Sequence, residues 1–196
     1  MLTALLVMTA LPLAEPLVDL RALIPDAVLD IRYATKDNLA GRPLYPFAAA
    51  FLRRPAAAKL VAAAADLRSK GYRLVIYDAY RPLSVQKALW EANPEPRFVA
   101  DPAKGSSHNR GGAVDVALAD ASGKALEMPS DYDDFGPRGR HGAEGVPPEA
   151  RRRAEILKAA LEAAGFVSLA DEWWHYRDAD ALGWPLLDVP FERATR

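Results

Sequence analysis

Apolar residues recur at helical spacing in three segments of the chain. The first covers residues 55–70, "PAAAKLVAAAADLRSK", in which a proline suits the first helical turn and the following Gly71 is a common C-terminal stop. A second predicted helix covers residues 82–90, and a third covers residues 148–164. The apolar face predicted for the first helix contains Leu60, Val61, Ala64 and Leu67.

Three other segments have the composition or the two-residue period of β-strands. "YRLVIY", residues 72–77, and "WWHYR", residues 173–177, are rich in β-branched or aromatic side chains. "AVDVAL", residues 113–118, alternates strictly, so its valines lie on one face and Asp115 on the other. Strands therefore alternate with helices along the chain.

Two long segments without apolar periodicity separate these elements. Residues 93–105 contain three prolines, and residues 129–147 are heavy in Asp, Gly and Pro. A loop as long as the second one usually has a function. The order of the elements predicts an α+β fold, with helices packed on a largely antiparallel sheet.

Composition narrows the chemistry that this fold can carry. The 196 residues are expected to form a single domain, and the formal net charge of -1 gives no electrostatic footprint for nucleic acid or an anionic membrane. Small partners are therefore favoured. The chain has no cysteine, which excludes disulfides, thiolate nucleophiles and sulfur-ligated metals. Any metal site must use His, Asp or Glu.

The N-terminal segment "MLTALLVMTALPLAEPL" is an apolar run too short to span a bilayer. It is similar to the apolar region of a signal peptide, although it has no basic residues before it and Pro12 disturbs the cleavage pattern. We predict a signal segment at residues 1–14, a domain at 15–196 and a periplasmic or secreted location. The alternative is a cytoplasmic protein with a buried N-terminal segment.

Two of the three histidines and one aspartate form a candidate metal site: His108, Asp115 and His175. Two imidazoles and a carboxylate suit a catalytic zinc with an open fourth position. Serines and glycines around His108 allow close backbone approach. Taken singly, each residue has an ordinary explanation, since a lone histidine is usually a hydrogen-bonded polar residue and Asp115 could face solvent on a half-buried strand.

The motif "DEWWHY" places Glu172 three residues before His175. Strict alternation would put the two side chains on opposite faces, so both reach one metal only if Glu172 lies in a turn or bulge before the strand. The link "VSLADE" permits this, and Glu172 would then be a general base that does not ligate the metal. The alternative is a surface carboxylate, with at least one of the tryptophans in the core.

The motif "DAYRP" puts Asp78 and Arg81 at the end of a hydrophobic strand. A guanidinium at this position could stabilise the oxyanion of a tetrahedral intermediate, and Asp78 could hold it in place. An ordinary surface ion pair explains the spacing equally well.

The motifs together resemble a known family. "SxHxxGxAxD" at residues 106–115 and "EWWHY" at residues 172–176 match the two signatures of the zinc D-alanyl-D-alanine dipeptidases of the vancomycin-resistance type. The resemblance extends to "YATKDNLAGRPLY" (33–45), "DAYRP" (78–82) and the "MPSDYDDF" loop (128–135), and it covers roughly residues 19–190.

This resemblance implies a zinc ion held by His108, Asp115 and His175, with Glu172 as base and Arg81 stabilising the transition state. It implies the fold of the zinc DD-peptidases and the hedgehog signalling domain. Asp133 in the variable loop is a candidate for binding the substrate's amino group, and His141 matches no ligand position. Together with Asp133, Ser106 and Asp78 of the matched motifs are candidate substrate contacts.

The implied activity is the hydrolysis of the small dipeptide D-Ala-D-Ala to two D-alanines. Two alternatives stay open. A DD-carboxypeptidase would trim longer peptidoglycan stem peptides and would need an open groove. A non-catalytic domain would keep the zinc for binding alone, although the presence of Glu172 and Arg81 argues against this.

Overall fold

The computed structural model describes residues 17–194, so the prediction of a signal segment at residues 1–14 lies outside the described residues. The strands in the described part are β1 (Leu17–Asp19), β2 (Val28–Leu29), β3 (Phe51–Arg53), β4 (Tyr72–Asp78), β5 (Ala113–Asp120), β6 (Phe166–Leu169) and β7 (Glu172–Asp178). The helices are α1 (Leu20–Leu23), α2 (Arg54–Ser69), α3 (Leu83–Ala92), α4 (Pro148–Ala163) and α5 (Phe191–Ala194).

Five strands form one sheet in the order β2-β4-β5-β7-β6. β2 pairs with β4 in parallel, and the other three pairs are antiparallel. β1 and β3 make a separate two-stranded antiparallel sheet. The prediction of an α+β fold with a largely antiparallel sheet is confirmed. The central strands β4, β5 and β7 carry the motifs that the sequence singled out.

The long helices α2 and α4 contact each other and pack on the large sheet. Leu60, Ala64 and Leu67 of α2 are buried, as predicted. Val61 is 36% exposed, so its place in the apolar face was wrong. The reason is geometric, because Val61 is rotated by about 100° around the helix axis from Leu60. Lys59 of α2 binds the buried Asp178 carboxylate of β7 at 2.7 Å.

The two long connections predicted from the sequence are largely irregular. Residues 93–105 contain no helix or strand, and residues 129–147 contain one short 3-10 turn, Pro137–Gly139. Phe98 of the first connection stacks on Phe135 of the second, with ring centroids 4.5 Å apart. Both loops are therefore held together beside the sheet.

Several short elements were not predicted. The segment before residue 54 contributes β1, β2 and β3, which are too short to show a period in the sequence. The prediction that "VSLADE" is an irregular link was wrong in part, because residues 166–169 form the edge strand β6. Of the helices between residues 17 and 194, none combines the length and the apolar character needed to cross a membrane.

Candidate active site

His108, Asp115 and His175 come together as one buried group. His175 Nδ1 lies 3.0 Å from Asp115 Oδ1 and 3.1 Å from His108 Nε2. His108 Nε2 lies 3.3 Å from Asp115 Oδ1. One ligand atom from each residue thus points at a common centre, and the group could hold a metal ion.

The sheet sets this convergence. Asp115 of β5 pairs directly with His175 of β7, so their side chains lie side by side on one face. His108 lies on the 3-10 turn His108–Arg110, five residues before β5 begins. The turn ends at Gly111 with a left-handed φ of 66°, which favours glycine. Asp115 is 3% exposed, which rules out a solvent-facing role for it.

Each of the three side chains is also held by a second partner. His108 Nδ1 lies 2.6 Å from the Ala79 carbonyl, which accepts a hydrogen bond from this nitrogen and leaves Nε2 free for a metal. The Tyr132 hydroxyl donates to Asp115 Oδ2 at 2.8 Å, which leaves Oδ1 free. His175 Nε2 lies 3.5 Å from Ser107 Oγ, which leaves Nδ1 facing the centre. These contacts fix which atom of each side chain faces the centre.

Burial and mutual charge determine the protonation of the group. Burial acts to raise the pKa of Asp115, but His108 and His175 outweigh it and hold that pKa well below its usual range. Burial acts to lower the pKa of His108, but Asp115 and Asp78 raise it above its ordinary value. An anionic carboxylate between two imidazoles attracts a cation.

Glu172 lines the same cavity as His175. Of the two predicted positions, a turn or a bulge before the strand, the turn is not found, because Glu172 is the first residue of β7. The predicted irregularity is present, because the register of β6 and β7 shifts between Ser168, paired with Tyr176, and Leu169, paired with Glu172. Burial raises the pKa of Glu172 to about 7, against the opposing influence of His175.

Trp173 and Trp174, which separate Glu172 from His175, are both buried. Trp173 Nε1 donates to Ser130 Oγ at 2.9 Å, and the Trp174 ring meets Phe135 edge-on. Core packing therefore accounts for both tryptophans, and both attach the 129–147 loop to β7.

Arg81 is a buried cation with fixed partners. Its Nε and Nη2 donate to Asp78 Oδ2 at 3.0 and 2.7 Å, and its Nη1 donates to Gln86 Oε1 at 2.9 Å. The guanidinium also lies over the Tyr33 ring, 4.7 Å from its centroid. Two of the five N–H groups of a guanidinium stay available for another acceptor. The surface ion pair considered from the sequence is therefore wrong.

Asp78 lies behind Arg81 and is fully buried. Its Oδ1 accepts a hydrogen bond from the Tyr45 hydroxyl at 2.6 Å, while Oδ2 accepts the two bonds from Arg81. Both carboxylate oxygens are occupied, and Asp78 is not among the residues that line the cavity. The geometry places it as a support for Arg81, out of reach of a substrate.

Asp133 is the one residue other than glycine with a positive φ, 60°, between residues 17 and 194. Such backbone is uncommon for a residue with a Cβ and is often found at functional sites. Its carboxylate accepts a hydrogen bond from the Tyr33 hydroxyl at 3.2 Å. Burial, reinforced by the charge of Asp115, raises the pKa of Asp133 to about 7, against the opposing charge of Arg81.

A cavity of about 260 Å³ brings these side chains together. Of the predicted site residues, it is lined by Arg81, Ser106, His108, Asp115, Asp133, Glu172 and His175. Asp78 is behind it. Ser106 Oγ accepts a hydrogen bond from the His108 backbone at 3.2 Å. His141, predicted to ligate nothing, lines a different pocket and packs on Tyr176.

Sequence reasoning missed several residues that line this cavity or support its side chains. Tyr33 and Tyr132, which bind the two aspartates, both belong to motifs quoted for the resemblance, so the signal was present there. Phe98 and Phe135 form an apolar wall, and Arg177 is a second cation in the lining. Arg177 follows His175 by two positions, and the period of a strand was the signal that could have identified it.

Comparison with known proteins agrees with this geometry. Residues 14–194 match the Peptidase_M15 family, described as D-ala-D-ala dipeptidase. The chain belongs to this family. Because the match covers nearly all of the described fold, the peptidase family accounts for the sheet and for both loops as well as for the short motifs.

Individual members of the dipeptidase family are similar over most of their length. The D-alanyl-D-alanine dipeptidase of Escherichia coli (strain K12) is 39% identical over 175 residues, which are 89% of this chain and 91% of that protein. The D-alanyl-D-alanine dipeptidase of Enterococcus faecalis is 29% identical over 83% of this chain and 87% of its own. That of Streptomyces coelicolor is 30% identical over 75% and 83%. The chain is a peptidase of this family.

Proposed function

We propose that this protein hydrolyses D-Ala-D-Ala to two D-alanines at a single zinc ion. The observation that carries the proposal is the buried group of His108, Asp115 and His175 in the wall of a cavity that also contains Glu172. The names of its family relatives support the choice of substrate.

His108 Nε2, Asp115 Oδ1 and His175 Nδ1 would hold the zinc. Bonds of 2.0–2.1 Å in a tetrahedral site place ligand atoms about 3.3 Å apart, and the three separations of 3.0 to 3.3 Å between these atoms fit this value. When bound, zinc supplies Lewis-acid polarisation of the scissile carbonyl and of a water molecule. The donor set also leaves room for a fourth ligand.

Glu172 acts as the general base in this proposal. A pKa of about 7 suits a group that accepts a proton from water and then returns it to the leaving amine near neutral pH. Arg81 neutralises the oxyanion. Because Asp78 and Gln86 hold its guanidinium before substrate arrives, little reorganisation is needed as charge develops on the carbonyl oxygen.

Asp133 binds the substrate ammonium. Its carboxylate is buried beside the Tyr33 hydroxyl, and a cation brought next to it favours its ionised form. Ser106 also lines the cavity and would contact the substrate near His108. A dipeptide thus finds an acceptor for its charged amino end next to the bond that breaks.

The wider assignments are part of the same proposal. The largely antiparallel sheet that carries Asp115 and His175 supports a shared fold with the zinc DD-peptidases and the hedgehog signalling domain. Residues 15–196 would form one domain after removal of a signal segment at 1–14, which gives a periplasmic or secreted protein. The alternative location is the cytoplasm.

The deciding experiment follows free D-alanine. Purified zinc-loaded protein is incubated with D-Ala-D-Ala and, separately, with a pentapeptide stem that ends in D-Ala-D-Ala. Release from the dipeptide alone supports the proposal. Release from the pentapeptide at a comparable rate identifies a DD-carboxypeptidase, and release from neither identifies a non-catalytic zinc domain.

A further inference from the structure

The cavity contains two guanidinium groups, and they differ in their partners. Arg81 is bound to Asp78 and Gln86. Arg177 has one long contact, 3.5 Å from Nη1 to the carbonyl of Ala179. Between residues 17 and 194, no carboxylate lies within ion-pair distance of Arg177. A half-buried cation without a counter-charge at a cavity wall is suited to bind an anion.

The strand fixes the direction of Arg177. It follows His175 by two positions on β7, so both side chains lie on the same face of the sheet. It pairs with Ala113 of β5 on one side and with Val167 of β6 on the other. Small or exposed side chains flank it, and the guanidinium is open to the cavity.

Arg177 and Asp133 reach the cavity from different elements of the fold. Tyr33, which binds Asp133, is stacked under Arg81 next to the end of β4, and Tyr132 stacks on Tyr77 of β4. Arg177 is on β7, which is separated from β4 by β5 in the sheet. Asp115 is on the intervening strand β5 and pairs with His175, two residues before Arg177 on β7.

This arrangement is complementary to a zwitterion. We propose that Arg177 binds the free α-carboxylate of the residue that leaves, so that the site requires a free C terminus directly after the scissile bond. The inference rests on the proposed function and adds the recognition of the second charged end. It implies that a C-terminal amide, which has the same scissile bond but no negative charge, is a poor substrate.

The test uses D-Ala-D-Ala and its C-terminal amide with zinc-loaded wild type, Arg177→Gln and Arg177→Lys. For wild type we expect the amide to have a kcat/KM lower by about 10- to 100-fold, the size expected for one charge-assisted contact. In Arg177→Gln the KM for the free dipeptide rises by a similar factor, kcat changes little, and the preference over the amide falls to about threefold or less. Arg177→Lys keeps part of the preference because it keeps the charge.

Arg152→Gln is the matched control, since it removes one charge from an exposed position on α4. It should behave as wild type. Arg177→Gln with an undiminished preference for the free carboxylate would overturn the proposal, whatever its absolute rate.

Calorimetric binding of D-Ala-D-Ala separates this inference from the proposed function. The titration uses zinc-loaded Glu172→Gln protein with and without Arg177→Gln, so no turnover is required. Weaker binding in the double variant supports the role of Arg177 even if wild type proves inactive. Equal binding, or no binding by either protein, contradicts it.

Discussion

At the scale of single residues, the three proposed metal ligands are oriented by the hydrogen bonds that their other atoms make. The backbone carbonyl of Ala79 occupies His108 Nδ1, and Tyr132 occupies Asp115 Oδ2, so the free atoms all face one centre. His108→Ala and His175→Ala should therefore lose most of their zinc, because two remaining ligands bind it weakly. Metal analysis of the purified variants checks this.

His141→Ala is the control for this prediction. His141 is the third histidine of the chain, and it packs on Tyr176 away from the ligand group. It should keep its full zinc content. Equal zinc in all three variants would show that the ligand assignment is wrong.

Glu172 lines the cavity, yet the metal-binding group does not include it. Glu172→Gln should keep its zinc and lose about 10²- to 10⁴-fold in kcat, the usual contribution of a general base. Turnover and zinc content measured on the same sample separate the two roles. Glu144→Gln, an exposed carboxylate of the 129–147 loop, is the control. A Glu172→Gln enzyme with normal turnover would leave the mechanism without its base.

The grouping of His108, Asp115 and His175 with Glu172 in one cavity could be predicted from the sequence, because histidine is scarce and the motif spacing is distinctive. The hydrogen-bond partners of Asp133 and Asp115 could not be predicted from the sequence. Tyr33 reaches Asp133 across 100 positions of the chain, and Tyr132 reaches Asp115 across 17. A contact between distant residues depends on the packing of whole elements, which no local period encodes.

At the scale of elements, Gly112, directly before β5, allows the chain to pack closely against Ala181 and Trp184. A Cβ there would lie 2.5 Å from the Ala181 side chain and 2.9 Å from Trp184. Gly112→Ala should therefore reduce the free energy of unfolding by about 1–3 kcal/mol through overpacking. Urea unfolding followed by fluorescence measures this.

Gly183→Ala is the matched control for Gly112→Ala. It makes the same change in the facing 3-10 turn, Ala181–Gly183, where a Cβ would meet nothing within 4 Å. Its stability should stay close to that of wild type. A Gly112→Ala protein as stable as this control would mean that the turn moves away at no cost.

The register shift in β7 illustrates the limit of prediction at this scale. The three-residue spacing of Glu172 and His175 required an irregular strand, and the structure has one. Its position could not be predicted, because it depends on the pairing with β6. β6 covers only four residues, and two of its apolar residues, Val167 and Leu169, are exposed. The sequence therefore shows no clear strand pattern there and predicted a link.

At the scale of the whole molecule, the location of the protein depends on its first residues. If residues 1–14 are a signal segment, the mature protein from the native host should begin near Glu15. Intact-mass measurement of the protein from that host determines the first residue. A chain that still begins at Met1 or Leu2 would contradict export.

In the proposed function, the lining of the whole cavity would limit the length of the substrate. In the proposed function Asp133, which is bound by Tyr33, would receive the amino group, and the stacked Phe98 and Phe135 rings form a wall contributed by both long loops. An acyl group on the substrate nitrogen removes the charge that Asp133 would bind and adds bulk at the amino end. Both effects act on the same side of the scissile bond.

We therefore expect D-Ala-D-Ala to be hydrolysed with a kcat/KM about two to three orders of magnitude above that of N-acetyl-D-Ala-D-Ala, the loss expected for one buried charge-assisted contact. Steady-state release of D-alanine from the two compounds measures the ratio. Asp133→Asn, which removes the negative charge at nearly constant size, should lower the rate on the free dipeptide and bring the ratio close to one. Asp37→Asn removes a carboxylate from an exposed position outside the cavity and should leave the ratio unchanged. Comparable kcat/KM for the free and acetylated dipeptides in wild type would refute the dipeptidase assignment, because a site indifferent to the amino group is the site of a carboxypeptidase.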